Sequence, residues 1–179
     1  MKKLLLFLCF VCFSCSFCVA NEVKNLSSDE ALKILKDGNL RFQTMKEKHP
    51  DQTKERRKEL EKMQHPFAVV ITCSDSRVPP SLIFDQGLGD IFEIRNAGNV
   101  LDNHVIGSVE YAVVHLGVKL VIVMGHENCG AVTAALSNVH ESKYIASLTN
   151  SIEPALKMYN ENSKEDKLTS TIKNNALLV

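Results

Sequence analysis

Three short apolar runs stand out along the chain: Phe67-Ala-Val-Val-Ile-Thr72, Ile91-Phe-Glu-Ile94 and Leu120-Val-Ile-Val-Met124. Each is rich in β-branched residues and bounded by Gly, Pro or polar residues, the pattern of a buried strand. Between and around them the apolar positions take a helical period. Ser27-Ser-Asp-Glu30 forms a capping box that opens an amphipathic helix with Leu32, Leu35, Phe42 and Met45 on one face, read as core. A helical turn is predicted over Ser81–Gln86, followed by a turn-rich connection from Asp85 to Asp90. A further helix runs from Asn103 or His104 to Leu116 and is closed by Gly117. The small residues Gly130 to Leu136 suit another. Helical patterns return at Ser147–Asn160 and from Thr169 to Val179. The charge run from Asp51 to Lys62 reads as a solvated helix with no chemistry assigned. Strands alternating with helices predict an α/β domain with a mostly parallel central sheet flanked by helices, with Leu120–Met124 as the central strand.

The first twenty residues follow a different pattern. Lys2 and Lys3 precede an apolar stretch from Leu4 to Phe13, and Cys18-Val-Ala20 offers a small-residue cleavage site before Asn21. This predicts an export signal over residues 1–20, a periplasmic or extracytoplasmic location, and one domain over residues 21–179. A membrane-spanning helix is the competing reading, but the stretch is short for a span and no basic flank follows. Ser14-Cys15 leaves lipoprotein anchoring as a lesser alternative. Without these residues the chain has 159 positions, enough for one domain with its own core. Lys2 and Lys3 then drop the 21 Lys+Arg to 19, against 21 Asp+Glu. No basic stripe with interleaved aromatics is present, so nucleic acid is not an expected partner.

Removing the signal also removes Cys9, Cys12, Cys15 and Cys18, and leaves Cys73 and Cys129. Both lie in motifs that directly follow predicted strands. The first is Cys73-Ser-Asp75-Ser-Arg77-Val-Pro79-Pro80, the second Gly125-His126-Glu-Asn-Cys129-Gly130. If the two strands are parallel neighbours, both motifs sit at carboxyl ends, where open α/β sheets place their sites. Two thiols and an imidazole suit Zn²⁺ rather than magnesium or calcium, and three protein ligands with an open fourth position are a catalytic pattern. A Cys73–Cys129 disulfide is the competing reading in an oxidising compartment.

The two motifs together resemble those of the β-class carbonic anhydrases. The similarity extends to Gln64, nine residues before Cys73, to Arg95-Asn96-Ala97-Gly98-Asn99, and to Glu110-Tyr111-Ala112. The resemblance implies reversible hydration of CO₂ to bicarbonate, with one zinc per chain on Cys73, His126 and Cys129. It implies that Asp75 aims the attacking water and that Arg77 holds the Asp75 carboxylate off the metal. Asp75 is also implied as an alternative fourth metal ligand when that pair breaks. No Trp is present for a bicarbonate-controlled switch, which favours the open form. Phe92, Ala97 and Tyr111 are implied as an apolar wall for CO₂, part of it contributed across a dimer interface. Gln64 and the Gly130 N–H are implied donors to the substrate oxygen. The family architecture further implies a homodimer or tetramer, with part of the first helix packed on a neighbour.

No proton shuttle declares itself among His104, His115 and His140, and His115 reads as a packed residue. The apolar ending Leu177-Leu-Val179 departs from the family pattern, which continues with more helix and strand. The expectation is a chain lacking its C-terminal part and therefore less stable and less active. Two other readings remain open on the sequence: a non-catalytic zinc-binding fold, and a hydrolase of a CO₂ analogue such as COS or CS₂.

Overall fold

Ala68 to Cys73 are six consecutive buried residues and form β1, the middle strand of the sheet. The computed structural model describes residues 26–138, 141–161 and 163–179; the export segment and His140 lie outside them. Among these residues the elements are α1 (Ser28–Gln43), α2 (Lys54–Glu59), β1, α3 (Pro80–Ile83), β2 (Ile91–Asn96), a 3₁₀ turn (Ala97–Asn99), α4 (Asn103–Val114), β3 (Val121–Met124), α5 (Gly130–Leu136), α6 (Lys143–Lys157) and α7 (Lys167–Leu178). The described strands pair in the order β2-β1-β3, all parallel. This is the α/β architecture expected from the alternating pattern. The strand expected to be central, β3, is instead an outer one, and its first residue Val121 is 40% exposed. No described helix is long and apolar enough to cross a membrane.

Two apolar clusters meet at the sheet. Val69, Ile71 and Ile94 pack with Val105, Ala112 and Val118 beneath α4. Cys73 and Cys129 pack with Val132 and Ile152, and Leu148, Leu168 and Ile172 close the cluster. The site therefore sits in the second core, between the sheet and α5 to α7. Helix starts follow local capping chemistry. Ser27 and Glu30 form the expected reciprocal box. Asp102 accepts from the His104 and Val105 amides, Ser142 from Ile145, and Asp166 from Thr169. The last two caps start α6 and α7 earlier than the apolar periodicity indicates. Gly117 takes φ +71° after α4, the left-handed stop expected of it.

Several expectations are corrected by the packing. Within α1, Leu35 is buried, but Phe42 is 38% exposed, and Met45 lies beyond the helix with φ +53° and 85% exposed. α3 ends at Ile83 instead of reaching Gln86, because Asp85 adopts φ +45°. His115 caps the C-terminus of α4, exposed, with its ring tilted against that of Tyr111 at 5.3 Å between centroids, so it is not a packed histidine. The 51–62 charge run is helical only over α2 and is more than solvated: Arg56 donates to the Leu88 carbonyl and to Asp90.

Asp85 fastens the segment between α1 and α2 to the sheet layer. Its carboxylate, 3% exposed as a residue, accepts from the Lys48 and His49 amides and from the Arg41 guanidinium at 2.5 Å. Burial acts to raise its pKa. The Lys48 amide, the Arg41 charge and the His49 amide outweigh burial and hold it below the ordinary carboxylate value. A depressed folded pKa gives stability that is present above the unfolded value of about 3.9 and is lost as pH falls through the folded one. Asp85→Asn is therefore expected to cost about 3 kcal/mol at neutral pH. It should also flatten the acid limb of a stability–pH curve measured by urea unfolding; an unchanged acid limb would remove Asp85 from that role.

Candidate metal centre

Parallel pairing sets Thr72 level with Met124, and the Thr72 hydroxyl donates to the Met124 carbonyl at 2.9 Å. One step beyond these residues come Cys73 and Gly125, and then His126. β1 has β2 on one side and β3 on the other, so the chain reverses direction of strand addition at this crevice, the place where open α/β sheets bind ligands. Cys129 enters from the N-terminus of α5 as its N-cap residue. The donor atoms of Cys73, His126 and Cys129 all lie within 4.8 Å of one another.

The donor geometry fits a zinc ion. The two sulfurs are 4.0 Å apart. Two Zn–S bonds of about 2.3 Å at a tetrahedral angle separate sulfurs by about 3.8 Å, whereas a disulfide needs about 2.05 Å. Both cysteines are free thiols, so the disulfide alternative is not the arrangement found. His126 contributes the stronger indication. Its side chain is 6% exposed, and its Nε2 is buried without a hydrogen-bond partner. Its Nδ1 lies 2.9 Å from the Glu127 carbonyl, which can only accept. Nδ1 therefore carries the proton, and Nε2 presents a lone pair to the two thiols. Burial first, and then the nearby Cys73 sulfur, push the Cys129 thiol up. A cation in front of the two sulfurs would reverse that balance and favour the thiolates.

Asp75 and Arg77 form a planar fork beside this group. Arg77 Nε donates to Oδ1 and its terminal nitrogen to Oδ2, both at 2.8 Å, and the Arg77 backbone amide adds a third bond to Oδ1 at 2.9 Å. Arg77 also reaches the Asn128 carbonyl at 3.1 Å, so it ties the first motif to the second. These bonds, the Arg77 side chain foremost, hold the Asp75 carboxyl well below the usual range. Oδ2 keeps a free lone pair and lies 3.9 Å from His126 Nε2. The structure thus puts Asp75 in the ion pair with Arg77, outside the three-atom donor group of which it is the expected alternative fourth member.

The remaining site residues divide between the two ends of the sheet. Ala97 follows β2 at the metal end and Gly130 opens α5, both exposed. Gln64 precedes β1, exposed, at its opposite end. The five steps from Ala68 to Cys73 span about 17 Å at roughly 3.3 Å each. Phe92 pairs with Val69, four residues back from Cys73, and its ring lies 6.3 Å from that of Tyr111. Gln64, Phe92 and Tyr111 are thus not brought to the metal group of their own chain. Two supports were given no role by sequence reasoning. Arg95 donates to the Cys73 and Asp75 carbonyls at 3.1 and 2.7 Å, clamping the first motif. The Gly98 amide donates to Cys73 Sγ at 3.3 Å. Both belong to the Arg95–Asn99 block, whose position after a strand was the available signal.

A parallel α/β sheet with two thiols and an imidazole gathered at adjacent strand ends defines a domain that could hold a metal at its switch point. Residues 68–178 match the family model described as carbonic anhydrase. The chain is 48% identical over 130 residues to a carbonic anhydrase of Mycolicibacterium smegmatis, covering 70% of this chain. It is 43% identical over 136 residues to carbonic anhydrase 2 of Mycobacterium tuberculosis, covering 74%. It spans 63% and 66% of the length of those two relatives. Among solved structures it is similar to the β-carbonic anhydrase CcaA, with 28% identity, a TM-score of 0.61, and 82% of this chain on 70% of that one. The β-carbonic anhydrase CafA of Aspergillus fumigatus gives 29%, 0.60, 83% and 70%. The chain belongs to the carbonic anhydrase family, in its β class.

Because the three donors come from two loops, loss of one should break the site. Cys129→Ser is expected to abolish stoichiometric zinc uptake, read by metal analysis after dialysis against a weak chelator. Full zinc in that variant would remove Cys129 from the donor group.

Proposed function

We propose that this chain catalyses the zinc-dependent, reversible hydration of carbon dioxide, CO₂ + H₂O ⇌ HCO₃⁻ + H⁺. The observation that carries the reading is the buried, unpartnered His126 Nε2 facing two free thiols, with a clamped carboxylate 3.9 Å away. Family membership implies the metal, and the soft donor set favours zinc. When bound, zinc supplies a Lewis acid that makes water a competent nucleophile near neutral pH.

The chain's own residues then aim and confine the reaction. Asp75 is ionised across the ordinary pH range, so its carboxylate acts only as an acceptor. The free lone pair of Oδ2 accepts a hydrogen bond from the attacking water and turns the water's own lone pair toward the substrate carbon. Arg77 fixes the carboxylate plane from the other side, and its bond to the Asn128 carbonyl sets the fork against the His126 loop. The Gly130 amide donates to the substrate oxygen as bicarbonate charge develops. The apolar wall comes from Ala97 of the same chain and from Phe92 and Tyr111 of a second copy, with Gln64 of that copy as a further donor. This assignment is supported by the position of Gln64, Phe92 and Tyr111 at the other end of the sheet, and by the 47% exposure of Tyr111. The β-carbonic anhydrases of Sordaria macrospora are described as tetrameric; a dimer or tetramer suits the division of residues found here. Export is part of the same reading and is supported by the pattern of residues 1–20.

Stopped-flow CO₂ hydration on the zinc-loaded chain tests the activity. Asp75→Ala and Arg77→Ala should keep stoichiometric zinc and lose about 10²–10⁴-fold in rate. Because the Asp75 pKa is held so low, no Asp75 titration should appear in the rate profile above about pH 4. Near-native turnover by Asp75→Ala would remove this carboxylate from the reaction. A monomer by light scattering that hydrates CO₂ at the wild-type rate would overturn the shared pocket.

A further inference from the structure

We propose that Asn175, on α7, is a positioning residue for the metal centre: its amide holds the carbonyl of Gly98, the residue whose N–H donates to the Cys73 sulfur. The inference rests on the zinc reading above and extends it to a helix that contains none of the recognised motifs.

Asn175 is 4% exposed, and its Nδ2 donates to the Gly98 carbonyl at 2.7 Å. Its orientation follows from that partner, since the reversed amide would set oxygen against oxygen. Burying a primary amide in a helix is costly unless it is satisfied, and Asn is a poor helix former. The packing of α7 on its neighbours therefore does not explain the residue; the bond to Gly98 does.

Gly98 depends on such a hold. It sits at φ +73°, ψ 13°, and a Cβ there would meet Ile152 Cδ1 at 2.9 Å and the Ala131 Cβ at 3.0 Å. With no side chain to lock it, its orientation is set by the peptides on either side. The peptide that follows it is held by Asn175, and the one that precedes it delivers the N–H to Cys73 Sγ at 3.3 Å. A hydrogen bond to a ligating thiolate withdraws electron density from sulfur. It stabilises the thiolate and leaves a bound metal more electrophilic, which matters at a site where two thiolates offset the charge of the ion.

A second observation on the same helix points the same way. A Cβ at Gly125, the residue before His126, would meet Ile172 Cγ2 at 3.0 Å and the Ala176 Cβ at 3.7 Å. Ile172, Asn175 and Ala176 are spaced i, i+3, i+4 and share one face. That face supports the His126 loop through packing and the Cys73 sulfur through Gly98. Asn174, the adjacent residue, donates instead to the Ala155 carbonyl on α6 at 3.3 Å and serves as a matched control.

The test uses the full chain with C9S, C12S, C15S and C18S, so that only the two site cysteines can bind metal. Zinc affinity is measured by chelator competition, and the sulfur-to-cobalt charge-transfer band is recorded on the cobalt(II) form. Asn175→Ala should weaken zinc by about tenfold and shift the cobalt band, whereas Asn174→Ala should move neither. If Asn175→Ala does not fold, Asn175→Ser, too short to reach Gly98, is expected to show the same losses. In the unsubstituted Asn175 background loaded with NMR-active cadmium, the Gly98 amide proton should show scalar coupling to the metal through Cys73. Absence of that coupling overturns the proposal. So do wild-type zinc affinity and cobalt band in the Asn175 variant, or equal changes in Asn174→Ala. A parent chain that takes up no zinc defeats the metal-site reading and the proposal with it.

Discussion

The parallel pairing of β1 with β3 is the constraint on which the site depends. Cys73 and His126 are 53 positions apart in sequence, and neither has a local reason to meet the other. The ladder from Val69↔Val121 to Thr72↔Met124 brings both strand ends to one level, so the segments that carry Cys73 and His126 leave the sheet side by side. A slip of one residue would turn Cys73 to the other face of the sheet. Complete burial of β1 makes such a slip costly, because all six of its residues are committed to packing. The strand that carries Cys73 is thus also the most completely buried of the three described strands.

Much of this was legible in the sequence, for reasons that can be named. The three strands are short β-branched runs, and each donor motif follows one directly, so the location of the site at carboxyl ends came from pattern alone. The order of the strands did not. β1 and β3 carry similar apolar runs, and composition does not say which has neighbours on both sides. Helix limits failed where capping or backbone conformation overrode periodicity. Ser142 starts α6 ahead of its apolar stripe, while the left-handed Met45 and Asp85 lie where helical patterns were extended too far. The Asp75–Arg77 fork was expected from the family resemblance, and both of its partners lie in one motif. Asn175 was not, since a polar residue in an amphipathic stretch carries no sign of the carbonyl it meets 77 positions earlier.

The division of the pocket residues has the same physical root. Spacing along a strand fixes which end of the sheet a residue occupies, but not which copy of the chain its neighbours come from. Gln64 and Phe92 are close to Cys73 in sequence and far from it along β1 and β2, because an extended chain gains about 3.3 Å with every step. Proximity in a motif block therefore misleads for strands in a way that it does not for the tight turn holding Asp75 and Arg77.

The position of α7 also bears on how the protein is made. All three donors have been synthesised by Cys129, and the strands that present them by Met124. The loops that carry Cys73's hydrogen-bond donor and His126 nevertheless rest on Ile172, Asn175 and Ala176, more than forty residues further on. A nascent chain emerging N-terminus first holds a complete set of donors well before it holds their support. During that interval the two sulfurs and the imidazole are exposed to whatever metal or oxidant reaches them. How soon α7 docks after the donors appear therefore sets how long they stand without that support.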